Sequence, residues 1–141
     1  MKILLADDDT DDRWFFLDFL RHRTDVTFLP SVTDGTEVVA YLNSLNRDAD
    51  LPHVIILDQN MPKLNGRETL SVLKANPRYS KIAVVVYSTY TDQQLIEDCG
   101  LLGALTVQAK PVSLEGYNEM VDFIIKEYNE YAAVQSQDTT F

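Results

Sequence analysis

The chain has 141 residues, 45% of them hydrophobic and 24% charged, which suits one globular domain with its own core and excludes a disordered or low-complexity chain. Twelve basic against 22 acidic residues give a net charge of -10, the opposite of the basic footprint that a duplex nucleic-acid binder needs. The single cysteine, Cys99, rules out an internal disulfide framework and a cysteine-based zinc cluster; no apolar run is long enough to span a bilayer, and Met1–Ala6 followed by five carboxylates is no signal peptide. The expectation is a soluble cytoplasmic domain, with no membrane and no nucleic-acid partner.

In chain order, Lys2–Ala6 reads as a strand that ends at Asp7, and Asp11–Arg23 as a helix with Trp14, Phe15, Leu17, Phe19 and Leu20 at helical spacing. Val26–Leu29 is a second short strand and Asp34–Leu45 a second helix. Val54–Leu57 is an unbroken apolar run ending at Asp58, followed by a helix over Arg67–Ala75. Ile82–Tyr87 ends at Ser88, and Asp92–Cys99 is helical with Gly100 as its cap. Leu105–Ala109 ends at Lys110-Pro111, and Leu114 to about Tyr131 forms the last helix, with Gln135–Phe141 expected as a frayed tail. Five β-then-α units whose strands are apolar on both faces predict a parallel sheet covered on both sides.

The reactive side chains sit at the strand ends. The first strand ends in Asp7-Asp8-Asp9, the third in Asp58, the fourth in Ser88 and the fifth in Lys110. In an open parallel α/β sheet, ligands bind beyond the carboxyl ends of the strands, so these residues can share one cleft. Crowded carboxylates repel one another, which raises a pKa or calls for a cation; oxygen donors without His or Cys select Mg2+ or Mn2+. With a lysine as a point charge and a hydroxyl donor, the set suits phosphoryl transfer to an aspartate.

The pieces Ile3-Leu4-Leu5-Ala6-Asp7-Asp8-Asp9, Ile55–Gly66 with its Asp58-Gln59-Asn60-Met61-Pro62, Val85-Val86-Tyr87-Ser88 and Ala109-Lys110-Pro111 stand in an order and spacing that resembles the receiver domain of two-component response regulators, including the single-domain chemotaxis type. The resemblance implies a doubly wound (βα)5 domain, flavodoxin-like, with strand order 2-1-3-4-5, over residues 1–134. It implies Asp58 as phosphoryl acceptor, Asp8 and Asp58 as direct Mg2+ ligands with the backbone carbonyl of Asn60, and Asp7 holding the ion through water. Lys110 would pair with the phosphoryl group, Ser88 would hydrogen-bond it, and Lys110-Pro111 would be a cis peptide. The implied partners are a histidine kinase or histidine phosphotransfer protein and a downstream protein target, with a homodimer through the face of helix 4, strand 5 and helix 5. No output domain is expected after the last helix, so the signal is expected to leave by protein contact or onward phosphotransfer. The family commonly carries Tyr or Phe three residues before the lysine, where this chain has Val107.

Other readings fit less well. Asp7–Asp18 has the alternating acids of a calcium loop, but Asp12 stands where the sharp turn needs Gly. Asp11 and Asp12 read as caps of the first helix. An aspartate-nucleophile phosphatase places a second Asp where this chain has Asn60. A pseudo-receiver would have lost an acid or the lysine, and all are present. His22 and His53 read as surface or loop residues, Cys99 as structural, and Trp14 as core against the sheet.

Overall fold

The computed structural model describes residues 1–138. Five strands, β1 (Lys2–Ala6), β2 (Thr27–Phe28), β3 (Val54–Asp58), β4 (Ala83–Ser88) and β5 (Thr106–Ala109), lie parallel in the order 2-1-3-4-5. Between and after them run α1 (Thr10–Leu20), α2 (Gly35–Ser44), α3 (Gly66–Ala75), α4 (Gln93–Leu101) and α5 (Leu114–Asp138). The flavodoxin-like α/β architecture predicted above is the one observed.

Alternation along each strand splits the core into two layers. Leu4, Ala6, Ile55, Leu57, Val84 and Val86 face Val38 and Leu42 of α2, Leu70 and Leu73 of α3, and Leu95 and Cys99 of α4. Ile3, Leu5, Val54, Ile56, Ala83, Val85 and Tyr87 face Phe16 and Leu20 of α1 and Tyr117, Met120, Val121 and Ile124 of α5. With both faces covered, β1, β3 and β4 need no polar alternation, which explains their continuous Val/Ile/Leu runs.

The helix starts are fixed by side-chain caps. Asp9, Asp34 and Asp92 accept from Asp12 N, Glu37 N and Leu95 N, and Asn65 forms a capping box with Glu68. The cap of α1 is therefore Asp9, while Asp11 and Asp12 fall inside its first turn.

Several boundaries and faces differ from expectation. Gly100 lies within α4; the glycine that turns the chain is Gly103, at φ 95, in the left-handed region open to glycine. Trp14 is 60% exposed and Phe15 is also exposed, whereas Phe16 is fully buried between Phe28, Tyr87 and Tyr117. Helix α1 carries apolar residues on every side, so periodicity alone could not select the buried one. Helix α5 runs on through 135–138, part of the expected tail, because no Gly or Pro after Gly116 interrupts it. Residues 139–141 of that tail lie outside the described residues.

His53 has a structural job at the sheet end remote from the carboxylates. Its Nδ1 accepts from Lys2 N at 2.9 Å and its ring meets Tyr128 edge-on. Partial burial, then the charges of Lys2 and the N-terminus, lower its pKa below the usual 6.5. A lowered folded pKa gives a contribution present above about pH 6.5 and lost as pH falls below it. His53→Gln is expected to flatten that part of the stability-pH profile, measured by urea unfolding at a series of pH values. Phe16→Ala, which empties the centre of the aromatic cluster, is expected to cost about 4 kcal/mol in the same assay.

Candidate functional site

The parallel register brings the strand ends level. Ala6 pairs with Leu57, Asp58 with Tyr87, and Ser88 with Ala109, so Asp7, Asp58, Ser88 and Lys110 emerge along one edge. The strand order reverses at β1, which pairs with both β2 and β3, placing Asp7 and Asp58 beside the topological switch point. Asp7, Asp58 and Ser88 are buried; Asp8 is exposed at the mouth. Gly66 lets α3 start close under this edge: a Cβ there would lie 2.8 Å from the carbonyl oxygen of Asp58.

At the centre is the ammonium of Lys110. It lies 2.7 Å from Asp12 Oδ2, 3.1 Å from Asp58 Oδ2 and 3.3 Å from Asp7 Oδ2. Its Nζ also sits 5.0 Å from the ring centroid of Tyr87. The remaining oxygens are satisfied by backbone: Asp58 Oδ1 accepts from Asn60 N at 3.1 Å, and Asp7 Oδ1 from Asp9 N at 2.9 Å. The Tyr87 hydroxyl donates to Asp7 Oδ2, and Arg13 Nη1 donates to the Asp7 carbonyl at 2.7 Å. Ser88 Oγ accepts from Tyr90 N at 3.3 Å.

The charges are not balanced. Burial and then the field of Asp7 push the Asp58 carboxyl up to about 7, against the opposing pull of Asn60 N and Lys110. Burial works against the Lys110 charge, but the hydrogen bond to Asp12 and the fields of Asp7 and Asp58 outweigh it and hold the ammonium above its ordinary value. Burial, then Asp7, raises the Tyr87 phenol, which stays a neutral donor. One cation thus serves three carboxylates, with Asp8 a fourth nearby.

That surplus suits a hard cation. Asp7, Asp8 and Asp58 each offer a carboxylate oxygen, and these oxygens lie within 4.8 Å of one another. All are oxygen donors, the type that Mg2+ and Mn2+ take.

Of the residues singled out in the sequence, Asp7, Asp8, Asp58, Asn60, Ser88 and Lys110 all reach this edge, with Asn60 and Ser88 lining an adjoining cavity shared with Gln59, Arg67 and Tyr90. His22 and His53 stand exposed, and among the described residues neither joins the acidic group of Asp7, Asp8 and Asp58. No cis peptide occurs among the described residues, so Lys110-Pro111 is trans, the isomer that an X–Pro bond favours by about 0.5–1 kcal/mol. Asp12 and Tyr87 are contributors that sequence reasoning missed. The signal for Asp12 was an acidic run, Asp7–Asp12, longer than a cap and a metal require; Tyr87 carried none beyond its place one residue before Ser88.

The family model for the response regulator receiver domain matches residues 3–123. A probable chemotaxis protein CheY of Rhizobium etli is 28% identical over 126 residues, covering 88% of this chain and 92% of that protein. A protein-glutamate methylesterase/protein-glutamine glutaminase of Methanococcoides burtonii is 30% identical across 92% of this chain, which spans 36% of the relative's length. Among solved structures, the phosphorylated cyanobacterial phytochrome response regulator RcpA superposes with a TM-score of 0.76 at 31% identity, covering 90% of this chain and 92% of that one. The Mn2+-bound response regulator Rcp1 gives 0.72 at 29% identity, covering 87% and 90%. With a matching sequence model over most of its length and the same strand order, the chain belongs to the response regulator receiver domain family.

Proposed function

We propose that Asp58 accepts a phosphoryl group from a phosphohistidine on a histidine kinase or phosphotransfer protein, and that the chain signals by protein contact or onward phosphotransfer. The observation that carries this reading is a buried strand-end carboxylate held by a lysine ammonium at 3.1 Å, with the carboxylates of Asp7 and Asp8 gathered beside it. One Asp58 oxygen forms a bond to phosphorus, the phosphorus–nitrogen bond breaks, and the electron pair leaves with the imidazole. Asn60 N and Lys110 hold the two Asp58 oxygens, so the carboxylate meets the donor in a fixed orientation. Lys110 turns to the oxygens of the bound phosphoryl group, and Ser88 offers its hydroxyl to them.

Asp8 and Asp58, with the backbone carbonyl of Asn60, would hold Mg2+ or Mn2+, and Asp7 would do so through water. Such an ion, when bound, neutralises charge on the phosphoryl oxygens. The RcpA neighbour, described as phosphorylated, and the Rcp1 neighbour, described as Mn2+-bound, support this by likeness. No methylesterase activity is part of the reading, because the chain spans about a third of those relatives.

The output surface in this reading is the face of α4, β5 and α5, through which a second copy could also pair. Val107, half-buried and stiff about its one side-chain torsion, cannot swing as an aromatic would. Tyr87 is locked in the core by its bond to Asp7, so Tyr90, 78% exposed and bonded through its backbone to Ser88, is the tyrosine free to move with the loop.

Asp58→Asn is expected to abolish labelling by acetyl phosphate, measured by intact mass after brief exposure; equal labelling of the mutant would refute the assignment. Millimolar Mg2+ is expected to raise the melting temperature of the wild type, and Asp8→Ala to lose most of that rise. Identical melting curves with Mg2+ and with chelator in the wild type would refute the metal site.

A further inference from the structure

Lys110 has more partners than phosphoryl chemistry at Asp58 calls for. Its shortest contact, 2.7 Å, is to Asp12 on α1, not to Asp58 at 3.1 Å. Asp12 stands apart from the Asp7, Asp8 and Asp58 cluster and is 32% exposed, while the other two partners of Lys110 are buried. Nor is Asp12 needed as a cap, since Asp9 fills that place and bonds the Asp12 backbone N–H. Below the ammonium lies the ring of Tyr87, itself anchored by the bond to Asp7 and by its edge contact with Phe16. Asp12 and Tyr87 together form a cradle that draws Lys110 toward α1.

The ammonium donates to Asp12 at 2.7 Å and to Asp58 at 3.1 Å, and Asp7 lies within ion-pair distance at 3.3 Å. A phosphoryl group on Asp58 draws the ammonium toward its own oxygens. Asp7 and Asp58 belong to the phosphoryl site itself, so the pull that opposes this movement is the one from Asp12 on α1.

We propose that Asp12 is a positioning residue acting through Lys110: its carboxylate holds the ammonium at rest and competes with the phosphoryl group for it, which sets how firmly the phosphorylated state is held. The proposal rests on Asp58 as the acceptor, and it adds a residue outside the acidic triad to the machinery.

The test is calorimetric titration of beryllofluoride, a phosphoryl mimic, into protein saturated with Mg2+. Asp12→Asn is expected to bind it about fivefold more tightly than wild type, in line with coupling between contacting charged residues. Asp11→Asn removes an equal charge from the same helical turn and is expected to stay within about twofold. Asp12→Glu, which keeps the carboxylate, should return toward wild type, and Asp12→Ser gives a second neutral variant with the same expected tightening. In the absence of fluoride, the Lys110 side-chain NMR signals should move in Asp12→Asn and not in Asp11→Asn, which a role as helix charge alone would not produce. Wild-type affinity in both neutral variants, or equal tightening by Asp11→Asn, overturns the proposal and leaves Asp58 as acceptor standing. A wild type that binds no beryllofluoride overturns both.

Discussion

Like charges converging at the strand ends are the constraint on which the site depends. Parallel strands in register deliver Asp7 and Asp58 side by side, both buried, and nothing in the backbone separates them. The fold tolerates this because Lys110 arrives from β5 and bridges them, while backbone N–H groups of Asp9 and Asn60 take the remaining oxygens. The arrangement is satisfied yet still short of positive charge. A shortfall of that kind suits a hard cation, whose charge would also offset the negative charge of any phosphoryl group brought to the site.

The two core layers meet this site in different ways. The layer under α2, α3 and α4 is mostly aliphatic, with Tyr79 buried in it, and supports the sheet that fixes the strand ends. The layer under α1 and α5 is aromatic near the site: Phe16, Tyr87 and Tyr117 pack edge to face, and Tyr87 extends its hydroxyl out of that layer to Asp7. Packing and electrostatics are thereby joined through one side chain. A shift of α1 against the sheet would be felt at Asp7, and through Asp12 at Lys110.

Much of this was legible in the sequence. Four strands were, because each is a short, mostly apolar run stopped by a polar residue, and the stopping residues Asp7, Asp58, Ser88 and Lys110 are the ones the register gathers. The buried face of α1 was not, since Trp14, Phe15 and Phe16 are consecutive and equally apolar, and only the position of the sheet decides among them. The partner of Asp12 was not, because it lies 98 residues away and depends on the direction of a lysine from another strand. The far end of α5 was underread: its run of Glu, Ala and Gln contains nothing to stop a helix.

Helix α5 is also much longer than the sheet is deep. Twenty-five residues at 1.5 Å each give about 37 Å, against about 17 Å for a five-residue strand. The bond from the Tyr131 hydroxyl to the Lys81 carbonyl ties the helix to the lower rim of the sheet. The turns past that tie bury less apolar surface than those near Ile124: Val134 is 54% exposed, where Ile124 is fully buried. Protection of the backbone amides against solvent deuterium therefore grades along one continuous helix, highest in the core near Ile124 and falling past Tyr131.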